Sequence, residues 1–251
     1  MKGRLYLVPA PLDFGCDSQC PIVQSMPANT LEVAASLRHW VCENAKSTRA
    51  YLKRVGEVMT LAVPLQSMDF AELPHAIHKK GDHSSSFDAR HLLSPALSGM
   101  DMGLVSEAGM PAVADPGASV VRAAHALEIA VVPLVGPVSL LLALAASGMN
   151  GQSFAFVGYV PSAPAERVAR IKALEALARK TGQTQIVIET PYRNSALLLA
   201  LTQNLQPTTR LSTSSGITLE SETHRSASIA QWRVGGWSLD NRTPTVFCIG
   251  Q

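Results

Sequence analysis

Four loops rich in glycine and proline are the places where this sequence could bind a ligand. They read PAPLDFG from Pro9, EN from Glu43, SEAGMPAVADPG from Ser106 and VGPVS from Val135. Glycine and proline produce loops whose backbone amide and carbonyl groups stay free to contact a ligand. Turns need the same residues for structural reasons, so one loop alone decides nothing. Each loop follows a predicted strand, however, and ligands bind at the carboxyl ends of parallel strands.

The composition of these loops limits the class of ligand. Neither a GxGxxG dinucleotide motif nor a GxxxxGK[ST] phosphate loop is present in the sequence. The loops contain prolines where a phosphate nest needs consecutive free N–H groups, and they contain no lysine or arginine. They therefore favour a neutral or cationic ligand over a polyphosphate. S-adenosylmethionine has these properties, because its sulfonium is positive and its adenine needs an apolar slot, but the loops alone do not single it out.

A reaction that removes a proton from a bound molecule would require a base within hydrogen-bond reach of it. The candidate bases are Glu43, Glu107, His83 and Glu189. Each of them has an alternative role as a solvated or capping side chain. We interpret Asp115, which precedes Pro116, as the N-cap of a helix rather than as a catalytic group.

The metal-binding residue types do not form a recognisable site. Four histidines lie close together in the sequence: His75, His78, His83 and His91. Their spacing matches no HExxH pattern, and the CxxxC pair Cys16 and Cys20 has no second pair to complete a zinc site. We therefore expect no metal. Four cysteines are too few for a disulfide scaffold and favour reduced thiols in a cytoplasmic protein.

Two groups of basic residues could contact phosphate. Lys46 and Arg49 follow the second predicted strand, and a predicted helix carries Arg167, Arg170, Lys172, Arg179 and Lys180. A solvated helix face is an equally ordinary explanation for the first group and the favoured one for the second. A net charge of +2 excludes a basic domain that coats nucleic acid, and 5% aromatic residues give no sign of a platform for stacking bases.

The elements that must position these residues alternate between strands and helices in the first half of the 251-residue chain. Strands are predicted at residues 4–8, 39–43, 60–64, 102–106 and 130–134. Helices are predicted at residues 29–37, with Asn29 and Glu32 as a capping box, and at 45–55, 88–97, 116–127 and 140–147. This alternation implies crossover connections and a largely parallel sheet.

The second half differs in having consecutive strands. Strands are predicted at residues 154–159, 185–190, 209–219 and 243–249, and helices at 165–180 and around 197–205. Strands without intervening helices favour antiparallel pairing. We therefore predict two α/β domains, residues 1–117 and 118–251, with a parallel-rich first sheet and a mixed second sheet. The apolar stretch 129–149 is interrupted by Pro133, Gly136 and Pro137, so we expect no membrane segment.

The order of four sequence blocks resembles that of the tetrapyrrole methylase superfamily. The blocks are PAPLDFG, GLVSEAGMPAVADPG, VVPLVGPVSLLLALAASGMNGQSFAFVGYVP and QIVIETPYRN. The similarity is greatest to the branch that contains the bacterial 16S rRNA cytidine 2'-O-ribose methyltransferases. This resemblance implies a homodimer of two-domain α/β chains, with S-adenosyl-L-methionine in the cleft between the domains and rRNA as the substrate.

The resemblance also implies which residues bind the methyl donor. In the first half they are Pro9, Ala10, Pro11, Leu12, Ser106, Glu107, Ala108, Gly109, Pro111 and Val113. In the second half they are Ser139, Glu189, Thr190, Pro191, Ile217 and Thr245.

The sequence departs from the rRNA enzymes at three of these loops. Asp13 stands in place of a Gly-Asn pair, Asn44 in place of the aspartate of Glu-Asp-Thr-Arg, and Glu107 in place of an aspartate. The departures leave two alternatives open: a methyltransferase for a tetrapyrrole or another small molecule, and a protein that binds S-adenosylmethionine without catalysis.

Overall fold

The computed structural model describes residues 1–75, 82 and 87–251, so the predicted base His83 and also His78 lie outside the described residues. The chain forms two compact units. The first comprises Met1–Phe14 and Gln19–Val138, and the second comprises Gly15–Ser18 and Ser139–Gln251.

The first unit contains a five-stranded sheet in which every pair of neighbours is parallel. Its strands, in the spatial order β3-β2-β4-β1-β5, are β1 (Arg4–Leu7), β2 (His39–Cys42), β3 (Asp69–Glu72), β4 (Met102–Val105) and β5 (Ala130–Pro133). Its helices are α1 (Ile22–Ser25), α2 (Ala28–Ser36), α3 (Ala45–Gly56), α4 (Ser94–Leu97) and α5 (Ala118–Ala126), with short 3-10 helices at Leu65–Ser67 and Arg90–Leu93.

Three predictions for this unit are corrected by the structure. The third strand is Asp69–Glu72 and not residues 60–64, whose apolar side chains pack on the core from an irregular segment. Helix α2 begins after Pro27 and has no side-chain cap, so Asn29 and Glu32 form no capping box. The division falls at Val138 rather than at residue 117, because β5 pairs with β1 and so completes the first sheet.

The second unit contains a mixed sheet, which confirms the predicted contrast between the two halves. Its strands, in the spatial order β6-β7-β10-β8-β9, are β6 (Phe154–Tyr159), β7 (Thr184–Ile188), β8 (Arg210–Ser215), β9 (Thr223–Ser228) and β10 (Thr245–Gly250). Only β6 and β7 pair in parallel; the other neighbours are antiparallel. The helices are α6 (Ser139–Ser147), α7 (Pro164–Thr181), α8 (Asn194–Asn204) and α9 (Ile229–Val234), with a 3-10 helix at Pro191–Arg193.

Helices α7, α8 and α9 pack on the second sheet through one apolar cluster. Ile171 and Leu174 of α7 and Leu197 and Leu201 of α8 are buried, in a cluster that also contains Phe247 of β10. Within the described part of the chain, no helix is both long and apolar enough to cross a membrane. The apolar stretch noted in the sequence instead forms strand β5, a turn and the nine-residue helix α6.

Candidate functional site

The loops that follow β1, β4 and β5 are joined at one edge of the first sheet. Ala10 and Gly109 exchange two backbone hydrogen bonds of 2.9 Å. Gly136 lies so close to the first loop that a Cβ there would stand 2.2 Å from Pro9 Cγ. A Cβ on Gly109 would stand 3.3 Å from Leu12 Cδ2 and 3.6 Å from the Pro137 carbonyl oxygen. Glycine is therefore required where the loops approach one another.

The loop after β2 reaches the same edge through Glu43. The Glu107 amide donates a hydrogen bond of 3.5 Å to the Glu43 carboxylate. The structure thus brings together the four loops that the sequence singled out. Pro9, Ala10, Pro11, Ser106 and Gly109 are buried there, Leu12, Glu107 and Ala108 are partly buried, Pro111 is buried and Val113 is exposed.

The backbone of the loop after β4 is strained. Ala112 has φ 64° and Ala114 has φ 68°, which is the left-handed region that costs a residue with a Cβ about 1–2 kcal/mol. Such strain persists only where the surroundings determine it, and it is concentrated at functional sites. The loop geometry therefore adds to the case that this edge of the sheet is the functional one.

Asp115, which we expected to be a helix cap, is instead part of a group of carboxyl side chains with Glu43 and Glu107. Burial raises the pKa of Asp115 to about 7, the charge of Glu43 and, to a smaller extent, that of Glu107 also raise it, and a hydrogen bond with Ser106 opposes the shift. A carboxyl with a pKa near neutrality can both accept and release a proton under ordinary conditions. The sequence offered no means of recognising this.

The cap of α5 is supplied by Asp82. Helix α5 begins after Gly117, and the Asp82 carboxylate accepts hydrogen bonds from the amides of Gly117, Ala118 and Ser119 at 2.8–3.1 Å and from the Ser119 hydroxyl at 2.6 Å. The prediction that Asp115 caps this helix is therefore wrong. A carboxylate 35 residues away from Gly117 in the chain takes that role and leaves Asp115 available for another.

Two of the departures from the rRNA enzymes have structural explanations. The buried Asp13 carboxylate forms two hydrogen bonds of 2.9 Å with the Arg54 guanidinium and accepts a third from the Cys20 amide at 3.0 Å. Asn44 is the N-cap of α3 and accepts from the amides of Lys46 and Ser47. Asparagine and aspartate cap helices about equally well, so Asn44 preserves this local structure.

In the second unit, Glu189, Thr190 and Pro191 follow the carboxyl end of β7. The buried Glu189 carboxylate lies 3.1 Å from Arg193 Nη2 and accepts hydrogen bonds from the amide and hydroxyl of Thr190 at 2.9 and 3.2 Å. These contacts fix the conformation of this loop.

Ile217 and Thr245 lie at the same edge of the second sheet as Glu189. Thr245 pairs with Ser215, just before Ile217, while Val246 pairs with Ile188, just before Glu189. Both side chains are buried. Ser139 is the first residue of α6. The other end of α6 leads to Met149, which lies beside Gly250, and Gly250 is at the end of β10 opposite Thr245.

The remaining candidates are placed as follows. Lys46 is exposed, and the Arg49 guanidinium lies 4.5 Å from the centre of the Phe70 ring, so Arg49 has a structural contact. The described residues contain no group of histidine, cysteine, aspartate or glutamate side chains that could hold a metal ion. The four cysteines form no disulfide.

The fold is that of the two-domain tetrapyrrole methyltransferases. Uroporphyrin-III C-methyltransferase from Thermus thermophilus superposes with a TM-score of 0.55 at 17% identity, over 99% of this chain and 94% of that chain. The methyltransferase CobJ superposes with a TM-score of 0.57, also at 17% identity and with the same coverage. No protein-family model matches the sequence.

The sequence itself is similar to proteins named ribosomal RNA small subunit methyltransferase I. The protein from Escherichia coli O157:H7 is 30% identical over 76% of this chain and 57% of its own length. The one from Halalkalibacterium halodurans is 37% identical over the same shares, and the one from Bacillus subtilis (strain 168) is 28% identical over 98% of this chain and 74% of its own length. The chain thus spans 57% of the length of the first two of these relatives, which is less than two thirds. The sequence is therefore similar to the rRNA small subunit methyltransferases I, and the fold is that of the tetrapyrrole methyltransferases.

Proposed function

We propose that this chain is an S-adenosylmethionine-dependent methyltransferase that acts on RNA, by analogy with rRNA methylation at a ribose hydroxyl. The observation that carries the proposal is the set of loops joined at the carboxyl edge of the first sheet. These loops contain no cation, and the carboxyl groups of Glu43, Glu107 and Asp115 accompany them. Such surroundings attract a sulfonium ion and would repel a phosphate.

The residues of the first unit fit this cofactor. The amides and carbonyls of the loops at 9–12 and 106–113 offer uncharged hydrogen-bonding groups, and Gly109 and Gly136 keep the loops close because neither carries a Cβ. When bound, S-adenosylmethionine supplies a methyl group activated by its positive sulfur. The protein aligns the acceptor with that methyl group and keeps water away from the reacting atoms.

Asp115 is the residue that we propose takes the proton of the acceptor hydroxyl. In such a transfer the bond between the donor sulfur and the methyl carbon would break as the acceptor oxygen bonds to that carbon. Asp115 would accept the hydroxyl proton at a carboxylate oxygen and later release it to solvent. A general base works best when its pKa is close to the operating pH, and Asp115 meets this condition with a pKa of about 7. Glu43 and Glu107 act on Asp115 through their charge.

Calorimetry with S-adenosylmethionine and its demethylated product tests the donor site. Replacing the exposed Val113 with lysine places a cation beside the proposed sulfonium position, and two like charges 4 Å apart repel by about 1 kcal/mol even in a water-like surrounding, a roughly fivefold loss of affinity. The demethylated product lacks the charge and should lose less. Val23→Lys, at an exposed position in α1, is the control. Equal losses for donor and product would refute the electrostatic basis of the site.

The acceptor is tested by labelled methyl transfer. RNA from a strain that lacks this gene should accept more label than RNA from the parent strain, because its target positions are unmodified. Equal labelling would exclude the RNA substrate. Transfer to cell metabolites would instead favour the small-molecule alternative, and donor binding without transfer to either would favour a non-catalytic binding protein.

We also propose that the protein is a cytoplasmic homodimer. Helix α6 has no charged residue, and Leu141 and Leu142 are 49% and 41% exposed, which leaves an apolar face that a second copy could cover. Sedimentation of the parent and of a Leu141→Asp variant tests this, since the variant should shift to the monomer. Cys42 and Cys248 are free thiols, which is compatible with a reducing compartment.

A further inference from the structure

Two cavities on the helical layer of the second unit are not used by the proposed reaction. One has a volume of about 480 Å³ and lies along α8 and α9, lined by apolar side chains together with Trp232 and Trp237. The other has a volume of about 650 Å³ and lies between α7 and the end of α8. Residues 202 and 203 line the first cavity and residues 204 and 206 the second, so the two cavities adjoin at the end of α8.

The first cavity contains an exposed aromatic platform. The Arg225 guanidinium lies 4.0 Å from the ring centre of Trp237 and 4.7 Å from that of Trp232. Trp232 is buried and donates its indole N–H to the Leu211 carbonyl at 2.8 Å, whereas Trp237 is 54% exposed. The outer indole is therefore supported from beneath and open to solvent.

Gly235 makes this arrangement possible. A Cβ at this position would stand 2.7 Å from Trp237 Cδ1 and 2.9 Å from Arg225 Nη2. The backbone thus passes directly against the Trp237 ring and the Arg225 guanidinium. The exposed Trp237 is held in a defined place, which lowers the entropy cost of binding a flat ligand on it.

The second cavity is lined by the cations Lys172, Arg179 and Lys180. Its one acidic residue, Glu175, is buried and already accepts hydrogen bonds from the Gln206 amide at 2.7 Å and from the Thr209 hydroxyl. Within residues 1–75, 82 and 87–251, neither lysine forms an ion pair. The cavity therefore offers positive charge to a ligand from outside.

We propose that these adjoining cavities bind a single-stranded segment of the RNA substrate, with a base stacked on Trp237 and the sugar-phosphate backbone beside Lys172 and Lys180. A cationic groove next to an exposed aromatic ring is the combination by which proteins hold single strands without reading their sequence. The inference rests on the proposed function.

The test uses the full chain and a fluorescein-labelled 12-nucleotide uridine RNA. Lys172→Gln/Lys180→Gln should reduce the slope of log affinity against log salt by about 1.4, the value for two lost phosphate contacts on a single strand. The matched control is Lys2→Gln/Lys53→Gln, which removes the same charge from the first unit and should leave the slope unchanged. An equal reduction in both double variants would overturn the cationic part of the proposal.

Trp237 provides a second and independent readout. Binding should quench its fluorescence, and Trp237→Ala should weaken RNA binding by about fivefold to 150-fold, the range for loss of one stacked base. Trp237→Phe keeps a ring and should retain most of the affinity. Unchanged affinity in the alanine variant would overturn the platform, even if RNA binds elsewhere on the protein.

Donor calorimetry distinguishes failure of this proposal from failure of the proposed function. If the parent protein binds RNA and transfers methyl groups, and the double lysine variant and the Trp237→Ala variant bind RNA equally well, only the proposed RNA surface is refuted. Donor binding without any binding of the oligonucleotide would refute both the surface and the RNA substrate. Retained donor affinity together with reduced RNA affinity in the variants is the expected result.

Discussion

Replacing Asp115 with asparagine should make the protein more stable and less active. The folded chain holds this carboxyl in surroundings that disfavour its charge, chiefly through burial and then through the charge of Glu43. Asparagine has nearly the same shape, keeps an oxygen for the hydrogen bond with Ser106 and carries no charge. It therefore removes the cost of ionisation and also the proposed base.

The magnitude follows from the shift of the Asp115 pKa from 3.8 to about 7. Below pH 3.8 the carboxyl is neutral in both folded and unfolded chains, and it costs nothing. As the pH rises from 3.8 to 7, the unfolded chain ionises first, so the free energy of unfolding falls by about 1.4 kcal/mol per pH unit. If Asp115 were completely buried, its carboxyl would lower the free energy of unfolding by about 4 kcal/mol above pH 7. Solvent screening of this partly exposed group reduces the loss to about 2 kcal/mol.

Thermal unfolding of the parent and the variant at pH 4 and pH 8.5 measures this effect. The two proteins should unfold at nearly the same temperature at pH 4, and the variant should be more stable by about 4–8 °C at pH 8.5. Asp101→Asn is the control of opposite sign. Hydrogen bonds from Arg4 lower the pKa of Asp101, so its ionised form stabilises the fold, and its replacement should lower the unfolding temperature at pH 8.5.

Activity supplies the second half of the test. Loss of a general base reduces the rate by about a hundredfold or more, while donor affinity measured by calorimetry should persist. If the variant unfolds at the parental temperature at pH 8.5, the Asp115 carboxylate is not desolvated and the reasoning is wrong. If the variant is stabilised but fully active, a different group accepts the proton.

Three further substitutions test the structure around the site. Gly136→Ala should disrupt the loop contact and abolish donor binding in calorimetry, because the new Cβ would stand 2.2 Å from the proline of the first loop. The control is Gly151→Ala, where a Cβ would have no atom within 4 Å, so neither stability nor donor binding should change. Arg54→Ala should lower the free energy of unfolding in urea by about 3–5 kcal/mol, since it leaves the buried carboxylate of Asp13 without its cation. Asp82→Ala should lower the free energy of unfolding by about 1–2 kcal/mol through loss of the α5 cap. Burial disfavours the charge of Asp82, but the hydrogen bonds from Ser119, Gly117 and Ala118 outweigh burial and lower the pKa of its carboxyl. The loss should therefore vanish as the pH falls below the ordinary pKa of an aspartate.

The central strands β4 and β10 could be predicted from the sequence because burial on both faces gives them the apolar runs MGLV and TVFCIG. Two errors concern edge strands, β3 and β9, whose sequences DFAE and THRSAS are polar. An edge strand pairs on one side only and tolerates charge, so its hydrophobic signal is weak. The apolar segment at residues 60–64 was predicted as a strand in place of β3, although its side chains serve the core without strand pairing.

The meeting of the four loops at one edge could be predicted from the alternation of strands and helices, because the carboxyl ends of parallel strands share one edge. The roles of individual carboxylates could not. Asp115-Pro116 has the local sequence of a helix start, and only the folded chain shows that Asp82 occupies that position. The contacts of Arg225 with the rings of Trp232 and Trp237 likewise depend on a strand, a helix and a loop meeting, which no spacing in the sequence reveals.

The net charge of +2 conceals two opposite local charge distributions, and the two proposed ligands require that separation. A cationic donor is attracted by the loops of the first unit, which have carboxylates and no cation, whereas a polyanionic acceptor would be repelled there. The acceptor must gain its affinity elsewhere, and the second unit offers Lys172 and Lys180 beside an exposed indole. A small neutral acceptor would need no such surface. Binding of RNA away from the carboxyl groups is therefore the property that most directly separates an RNA methyltransferase from the other chemistries that this fold supports.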